Sequence, residues 1–311
     1  MRVIVSGSLA YDKIMDFPDA FANHILPEKI HVLSVSFLVT QLEQNFGGTA
    51  GNISYTLGLL GMKPAIFASA GKDFDDYKKW LIKKGVDTRN IKIVKNDNTA
   101  TAYIITDNKN NQITAFYLGA MKHSAALIRK ADLSKSFLGI VAPGNLEDMI
   151  RYCTEYKAAH FPYIFDPGQQ ITALSKSQLN TCVSCAKVFI SNDYELSLIL
   201  EKTGMTKKQM LEKSEIIITT LGEKGSLVET KKEKIQIPSA KPIAVIDPTG
   251  AGDAYRAGFI AGLAKHYPLE KCAKMGALSA VYAIEKYGTQ NHSFRYTEFK
   301  TRYQKSFGEK L

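Results

Sequence analysis

The sequence of 311 residues contains only four cysteines and one tryptophan. It also lacks a continuous apolar run of about 18 residues, which a membrane-spanning helix needs, so we expect no transmembrane segment and no membrane partner. The first apolar residues reach Gly7 and then Asp12 too early for the apolar region of a signal peptide, so we expect no secretory leader. Few cysteines in a chain of this length indicate a reducing compartment, which predicts a cytoplasmic protein.

The sequence gives little basis for a structural zinc site or for nucleic-acid binding. Cys182 and Cys185 form a single Cys-x-x-Cys pair, whereas a structural zinc site usually has four ligands, and the sequence has no second pair. The net charge is +10, but the lysines are scattered in short groups and no nucleic-acid-binding module is recognisable. We interpret the excess charge as a solvated basic surface and expect no nucleic-acid partner.

What the sequence does contain is a regular alternation of apolar strands and helical patterns. Strands are predicted at 2–6, 63–71, 137–142, 163–166, 188–191 and 216–220, and helices at 74–85, 146–157, 178–186 and 271–287. This alternation implies a parallel sheet with right-handed crossovers, in one large α/β domain or two smaller ones. Two further runs, 99–107 and 112–117, are joined by the turn-rich loop 108–111 and predict a hairpin. Together with 13–17 and 30–39, this hairpin is expected to form a small second sheet.

The rest of the chain is organised around residues 244–259. We expect a buried strand at 244–246 that ends at Pro248, followed by small residues and a helix with a small-residue face. The unpaired amides at such a helix start bind phosphate, or negative charge that develops during a reaction. Asp253 would repel phosphate at this position unless it accepts a proton, so we interpret it as a general base. The alternative is simple compensation of the helix dipole.

Two other stretches carry polar residues at the end of a strand or the start of a helix. Asp12 follows the first strand, and its carboxylate can accept two hydroxyl donors, such as those of a ribose diol. Gly47 and Gly48 precede a helix that contains Asn52, and two adjacent glycines let a flat ligand approach the backbone. The alternative at either place is an ordinary turn.

The order Asp-Pro-Thr-Gly-Ala-Gly-Asp at 247–253 resembles the signature of the ribokinase-like, or PfkB, family of sugar and nucleoside kinases. It is not a Walker P-loop, because no Gly-Lys-Ser or Gly-Lys-Thr follows a glycine-rich loop. The resemblance covers essentially the whole chain and implies a single kinase domain at 1–311. The implied fold is a ribokinase-like three-layer α/β fold, with a central, mostly parallel sheet flanked by helices. A small β-sheet lid from segments near 13–46 and 98–120 is expected to exclude water from the acceptor site.

The resemblance also implies a role for each motif residue. The catalytic set is the base Asp253 and an anion hole formed by the amides of Gly250, Ala251 and Gly252. The substrate-binding set is Asp12, Gly47, Gly48, Asn52, Gln112, Phe116 and Gln169. The ATP-binding set is Asn192, Thr220, Gly222, Gly225, Ala280 and Gln290. Arg256 lies one helical turn after Asp253 and is expected to reach phosphate.

The cofactors that the resemblance implies are ATP, Mg²⁺ and a monovalent cation such as K⁺. Asn192 followed by Glu195 predicts a helix capping box from its spacing alone. The resemblance adds that Glu195 holds Mg²⁺ through water. Asp247 and Thr249 are implied as the site of the monovalent cation.

Within the family the sequence is most similar to bacterial nucleoside kinases of the adenosine-kinase type, at residues 7–15, 111–116, 165–169 and 253–256. A nucleoside base needs apolar or aromatic walls, and the lid offers Phe17, Phe37, Phe116 and Tyr117. We therefore expect ATP-dependent phosphorylation of the 5′-hydroxyl of adenosine or a related ribonucleoside, in purine salvage. The alternatives are a sugar kinase of the ribokinase or fructokinase type and a nucleotide sensor without turnover. The chain is expected to act on a small-molecule substrate, as a monomer or homodimer.

Overall fold

The computed structural model describes residues 1–109 and 111–311. Its strands are β1 (Arg2–Ser6), β2 (Ala10–Asp16), β3 (Gln41–Gly47), β4 (Lys63–Gly71), β5 (Ile91–Val94), β6 (Ala100–Thr106), β7 (Gln112–Tyr117), β8 (Leu138–Val141), β9 (Tyr163–Phe165), β10 (Val188–Asn192), β11 (Ile216–Thr220), β12 (Ser226–Thr230) and β13 (Lys234–Ile237). Its helices are α1 (Thr49–Leu59), α2 (Asp75–Lys83), α3 (Lys130–Leu133), α4 (Leu146–Ala158), α5 (Lys176–Val183), α6 (Asp193–Thr203), α7 (Lys207–Lys213), α8 (Ala251–Ala264), α9 (Leu269–Ile284) and α10 (Tyr296–Phe307). Among the residues described, no helix combines the length and the apolar character that crossing a bilayer requires. Asn110, part of the predicted turn at 108–111, lies outside the described residues.

Nine strands form the large sheet, in the order β13-β12-β11-β10-β9-β8-β1-β4-β5. The neighbouring pairs from β11 to β5 are parallel, whereas β12 and β13 run antiparallel at one edge. The side chains of β1 alternate between the faces, so Val3 and Val5 belong to one core cluster and Ile4 to the other. Helices α1, α8 and α9 complete the first cluster, and α4, α5 and α6 complete the second. The predicted three-layer arrangement, a mostly parallel sheet flanked by helices, is confirmed.

Helices α8 and α9 approach closely because α8 presents glycine at the contact. A Cβ atom on Gly258 would lie 2.4 Å from the carbonyl oxygen of Met275, and one on Gly262 would lie 2.7 Å from Cα of Cys272. Both distances are well below van der Waals contact, so a larger residue would force the helices apart. The predicted small-residue face is therefore confirmed. This contact fixes α8, whose first turn contains Asp253, against the core.

The small sheet has the strand order β3-β2-β6-β7, and β6 and β7 form the predicted hairpin. The predicted strand at 30–39 is wrong: Pro27–Val32 is a 3-10 helix, and residues 33–39 are irregular. Strand β2 already pairs with β3 on one edge and β6 on the other, so the segment finds no free edge of β2 to join. Its apolar residues Leu33 and Leu38 are exposed.

The predicted buried strand at 244–246 is also wrong. The segment is irregular, and Val245 and Ile246 are 60% and 56% exposed. The N–H groups of Ile246 and Asp247 donate to the carbonyl of Ile284 at the end of α9, at 2.8 and 3.2 Å, and not to a neighbouring strand. The segment therefore crosses the end of α9, where Val245 lines a cleft instead of entering the core.

Candidate active site

The candidate functional residues gather at the carboxyl ends of the parallel strands, the edge at which open α/β sheets bind ligands. Asp166 follows β9, Asn192 ends β10 and Thr220 ends β11. The first turn of α8 lies beside them, because Arg256 of α8 contacts Asp166, and Ala251 lines one cleft with Thr220. The arrangement brings strand ends and a helix N-terminus to one place.

The start of α8 is open to an anion. Gly250 is the N-cap residue in the left-handed region, at φ 79°, and it has no side chain to satisfy the helix amides. The N–H of Ala251 donates to the carbonyl of Pro248 at 3.3 Å. Within the described residues, the N–H groups of Gly252 and Asp253 have no hydrogen-bond partner. These two amides and the positive end of the helix dipole can bind an anion.

Asp253 is the carboxylate of this first turn, and it is half-buried. Its Oδ2 accepts a hydrogen bond from Nδ2 of Asn52 at 2.8 Å. Burial is the main cause that raises the pKa of Asp253 to about 7, and the negative charges of Asp166 and Asp12 act in the same direction. The charge of Arg256 and the hydrogen bond from Asn52 oppose the shift. A carboxylate whose pKa lies near neutrality can accept a proton and release it again.

Asp166 binds the guanidinium of Arg256, which was predicted to reach phosphate; that contact stays a prediction. Nη2 donates to Oδ1 of Asp166 at 2.7 Å, and Nε donates to Oδ2, so the pair is bidentate. The two side chains are only 8% and 2% exposed. Burial raises the pKa of Asp166, and the charge of Arg256 opposes that shift. The pair lies directly under the first turn of α8, since a Cβ on Gly252 would lie 2.9 Å from Nη1 of Arg256.

Asp12 and two glycines form a second part of the site. Asp12 projects from β2, and a Cβ on Gly47 would lie 2.4 Å from its Oδ2, so only glycine fits beside this carboxylate. Gly48 is the N-cap of α1 with φ 85°, and a Cβ there would lie 2.6 Å from the carbonyl oxygen of Ser8. Burial, and then the charge of Asp247, raise the pKa of Asp12 to about 6. The two glycines thus leave space around a carboxylate.

Asn52 lies between Asp253 and buried polar residues of the C-terminal segment. Its Oδ1 accepts hydrogen bonds from Oγ1 of Thr289 at 2.8 Å and from Nε2 of Gln290 at 3.0 Å. Gln290, which was predicted to contact ATP, is 2% exposed, and its Oε1 accepts a hydrogen bond from Trp80. Its contact with ATP stays a prediction. Sequence reasoning missed Thr289 and Trp80, since a contact across 237 residues leaves no local signal.

The predicted lid residues Gln112 and Phe116 share a sheet face with Asp12. Asp12 pairs with Ala102, and Ala102 pairs with Phe116, so these three side chains point to the same side. Gln112 lies four residues before Phe116 on β7 and therefore points to that side as well. Both predicted residues are exposed. Gln169 is also exposed, in the 3-10 helix Gly168–Thr172 that follows β9.

The predicted aromatic walls agree with the structure only in part. Phe17 is buried in a cluster of its own, where its ring lies 5.7 Å from Phe21 and 4.9 Å from Phe37. Tyr117 follows Phe116 on β7, so it points to the opposite face, and its hydroxyl donates to Asp97. Phe17 therefore packs against other aromatic rings and Tyr117 bonds to Asp97, so Phe116 is the ring that shares the face of Asp12.

A cleft of about 480 Å³ adjoins the first turn of α8. Several residues predicted to bind ATP line it: Thr220, Gly222, Gly225 and Ala280. Ala251 and Gly252 line the same cleft, which therefore ends at the unpaired amides. Its remaining walls are largely apolar and include Val245, Pro248, Ala277, Val281 and Ile284. Such a cleft suits a ligand with a flat base and an anionic tail.

Asn192 and Glu195 form the predicted capping box at the start of α6. Oδ1 of Asn192 accepts from the N–H of Glu195 at 2.7 Å, and Oε2 of Glu195 accepts from the N–H of Asn192 at 2.9 Å. Burial raises the pKa of Glu195. Across residues 1–109 and 111–311, no group of three or more His, Cys, Asp or Glu side chains is placed to hold a metal ion. Mg²⁺ therefore fits here only with further oxygen ligands from phosphates and water.

Asp247 joins the turn before α8 to the loop after α9. Its Oδ1 accepts from the N–H of Thr249 at 2.9 Å, and its Oδ2 accepts from the N–H of Gly288 at 2.9 Å. Each carboxylate oxygen retains a further lone pair, so the residue can still offer oxygen to a monovalent cation. The monovalent-cation site at Asp247 and Thr249 stays a prediction.

Residues 13–295 of the chain match the family described as pfkB family carbohydrate kinase. The nucleoside kinase of Methanocaldococcus jannaschii is 32% identical over 267 residues, which cover 85% of this chain and 87% of that protein. A structure of the Burkholderia thailandensis nucleoside kinase in complex with inosine is similar with a TM-score of 0.88, at 32% identity over 99% of each chain. The ADP-inosine complex of that kinase has a TM-score of 0.86, at 33% identity over 99% of this chain and 97% of that one.

Proposed function

The chain belongs to the pfkB family of carbohydrate kinases, and we propose that it transfers the γ-phosphoryl group of ATP to the 5′-hydroxyl of a nucleoside. The observation that carries the proposal is the position of Asp253. Its carboxylate lies in the first turn of α8, where the apolar cleft ends, and it is hydrogen-bonded to Asn52. Asp12 is close enough to perturb its pKa. This carboxylate therefore lies where a phosphoryl group from the cleft would meet an acceptor bound at Asp12.

We propose that Asp253 accepts the proton of the 5′-hydroxyl as that oxygen attacks the γ-phosphorus. A new oxygen–phosphorus bond forms while the bond from the γ-phosphorus to the bridging oxygen of ADP breaks. The products are the nucleoside 5′-phosphate and ADP. The amides of 250–253, above all the unpaired ones of Gly252 and Asp253, donate to the transferred phosphoryl oxygens. Mg²⁺ supplies charge neutralisation at the phosphates when it is bound, with Glu195 as an outer ligand through water.

The proposed acceptor is adenosine or a related purine ribonucleoside, which would place the enzyme in purine salvage. The carboxylate of Asp12 accepts hydrogen bonds from the 2′- and 3′-hydroxyls. The exposed ring of Phe116 lies on the same sheet face as Asp12 and covers the base, with Gln112 and Gln169 as polar contacts. Inosine in the similar Burkholderia thailandensis structure supports a purine nucleoside. The Nδ2 group of Asn52 has two hydrogens, and since one is donated to Asp253, the other is left for the acceptor.

We propose ATP as the phosphoryl donor in the cleft of Thr220, Gly222, Gly225 and Ala280, with Mg²⁺ and with K⁺ at Asp247 and Thr249 as cofactors. Asn192 caps α6 beside this cleft and is proposed to reach the phosphates. The enzyme is proposed to act in the cytoplasm as a single kinase domain at 1–311, a monomer or homodimer without a nucleic-acid partner. We propose that Mg²⁺ binds together with the nucleotide, whose phosphate oxygens supply ligands beside Glu195 and water.

An acceptor panel tests the proposed function. Purified protein is incubated with ATP and Mg²⁺ and, in turn, adenosine, inosine, cytidine, ribose and fructose, while ADP release and product mass are measured. We expect kcat/KM for a purine nucleoside to exceed that for the free sugars by at least about tenfold, because only the nucleoside fills the base site. A preference for ribose or fructose would identify a sugar kinase instead. ATP binding without phosphorylation of any acceptor would identify a nucleotide sensor.

A further inference from the structure

A chain of three hydrogen bonds connects the single tryptophan of the sequence to Asp253. Trp80 of α2 donates through Nε1 to Oε1 of Gln290 at 3.2 Å. Nε2 of Gln290 donates to Oδ1 of Asn52 at 3.0 Å, and Nδ2 of Asn52 donates to Oδ2 of Asp253 at 2.8 Å. Asn52 and Gln290 in the middle of the chain are almost completely buried, whereas Trp80 and Asp253 at its ends are half-buried.

The direction of every bond in this chain follows from its first member. An indole N–H only donates, so the group of Gln290 that faces Trp80 is its carbonyl oxygen, and its NH₂ group faces Asn52. The group of Asn52 that receives this NH₂ is therefore its own carbonyl oxygen. The NH₂ group of Asn52 is left to face the carboxylate of Asp253. A reversed Asn52 would instead place its carbonyl oxygen against that carboxylate.

Tyr77 independently supports the same orientation of the Gln290 amide. Its hydroxyl hydrogen goes to the carbonyl oxygen of Gly47, at 2.8 Å, so the hydroxyl oxygen accepts from Nε2 of Gln290. Oγ1 of Thr289 lies 2.8 Å from Oδ1 of Asn52 and 2.9 Å from the carbonyl oxygen of Phe46, so its one hydroxyl hydrogen has two acceptors within reach and does not fix the Asn52 amide by itself. The donor that fixes the orientation of Asn52 is Nε2 of Gln290, which lies 3.0 Å from Oδ1.

We propose that Trp80 and Gln290 are positioning residues for the base: they hold the amide of Asn52 so that it donates to Oδ2 of Asp253 and leaves Oδ1 to receive the acceptor proton. The role of Asp253 as the base rests on the proposed function. The orientation of the Asn52 amide rests on the hydrogen bonds alone.

This positioning has a measurable effect on protonation. The hydrogen bond from Asn52 lowers the pKa of Asp253, against burial and the charges of Asp166 and Asp12, while Arg256 also lowers it. None of these charged groups lies on α2 or near Gln290 in the chain. A loss of the fixed Asn52 donor therefore raises the pKa of Asp253 further.

The aromatic surroundings of Trp80 allow a matched control. Trp80 stacks on Tyr55 with ring centroids 5.9 Å apart, so Trp80→Phe keeps a ring there and removes the N–H donor. Tyr55 belongs to the same cluster, but its hydroxyl donates to the carbonyl of His292 and not to the chain that ends at Asp253. Tyr55→Phe therefore removes a buried hydrogen bond beside Trp80 without touching the positioning of Asn52.

The experiment measures the protonation midpoint of Asp253 in the whole protein. The ¹³C resonance of its carboxyl group, assigned by its loss in Asp253→Asn, is titrated in the wild type, Trp80→Phe, Gln290→Leu and Tyr55→Phe. The acid limb of kcat/KM for the acceptor is recorded in parallel. We expect a wild-type midpoint of about 7. Gln290→Leu should raise it by about one pH unit, a tenfold change in proton affinity or about 1.4 kcal/mol. Trp80→Phe should raise it less, and Tyr55→Phe should leave it unchanged.

An unchanged midpoint in Trp80→Phe and Gln290→Leu would overturn the inference, as would an equal rise in Tyr55→Phe. If Gln290→Leu does not fold, Trp80→Phe decides alone, because it preserves the ring contact. The titration needs no turnover, so it remains decisive even if the wild type phosphorylates no nucleoside. A wild type that phosphorylates no nucleoside would refute the proposed function, whereas the titration would still test the orientation of Asn52.

Discussion

We expect Arg256→Met to cause a large loss of stability, because the substitution breaks the buried ion pair with Asp166. In the native protein the guanidinium binds both carboxylate oxygens, and the two side chains are 8% and 2% exposed. Methionine fills part of the space but leaves the carboxylate of Asp166 buried without its counter-charge. Removal of one partner of a buried ion pair costs about 3–5 kcal/mol, and we expect that loss of unfolding free energy at slightly alkaline pH.

The loss should become smaller as the pH falls. Burial already holds the pKa of Asp166 above its usual range, and Arg256 opposes that shift, so the variant has a still higher pKa. A group whose folded pKa exceeds its unfolded value binds more protons in the folded state, so stability decreases as the pH rises through that interval. Arg256 also lowers the pKa values of Asp253 and Glu195. In the variant these two pKa values therefore rise, as that of Asp166 does. The loss of unfolding free energy in the variant should therefore be smallest at acid pH.

Urea unfolding followed by circular dichroism between about pH 5 and 8 measures this effect. The double variant Asp166→Asn/Arg256→Met removes both charges and should be clearly more stable than Arg256→Met alone. The exposed pair Lys79–Asp76, whose side chains are 77% and 84% exposed, offers a matched control in which Lys79→Met should cause no measurable loss. A loss below about 1 kcal/mol in Arg256→Met, or one that does not diminish at acid pH, would refute the reasoning.

Three further changes test other parts of the account. Gly258→Ala places a Cβ 2.4 Å from the carbonyl oxygen of Met275, so urea unfolding should show a loss of about 1–3 kcal/mol. An unchanged midpoint would disprove the close helix contact. Asp12→Asn should raise KM for the nucleoside by about tenfold and leave KM for ATP unchanged, because an amide has one acceptor oxygen where the carboxylate has two. An equal rise in both constants would argue against a diol site. Since protonated Asp253 cannot act as a base, kcat/KM should fall below about pH 7, and a flat profile would contradict that role.

Local patterns predicted those features that neighbouring residues determine by themselves. The capping box of Asn192 and Glu195 follows from a spacing of three residues, and the structure contains both of its hydrogen bonds. The small-residue face of α8 likewise follows from the helical period. The two wrong strands, 30–39 and 244–246, have suitable apolar residues. Their composition indicates that a segment can pair, but it does not tell whether a sheet offers a free edge.

The polar partners of the site were beyond local reasoning. Arg256 contacts Asp166, which is 90 residues away in the sequence, and Asn52 contacts Gln290, which is 238 residues away. Asp253 itself was predicted because its motif resembles a known signature, whereas its raised pKa depends on burial and on charges from distant segments. The predicted roles of Arg256 at phosphate and of Gln290 at ATP therefore did not include their contacts with Asp166 and Asn52, which only the fold shows.

The most direct test of the central claim is the single-turnover rate of phosphoryl transfer in Asp253→Asn, measured by rapid quench with ATP in excess. Asparagine has nearly the same shape as aspartate and can still accept a hydrogen bond from Asn52, but it cannot take up the acceptor proton. General-base catalysis typically contributes about 10²–10⁴-fold, so the account predicts a rate at least about a hundredfold below the wild type, with ATP affinity retained. A variant that transfers phosphate within about threefold of the wild-type rate would contradict the claim that Asp253 is the base.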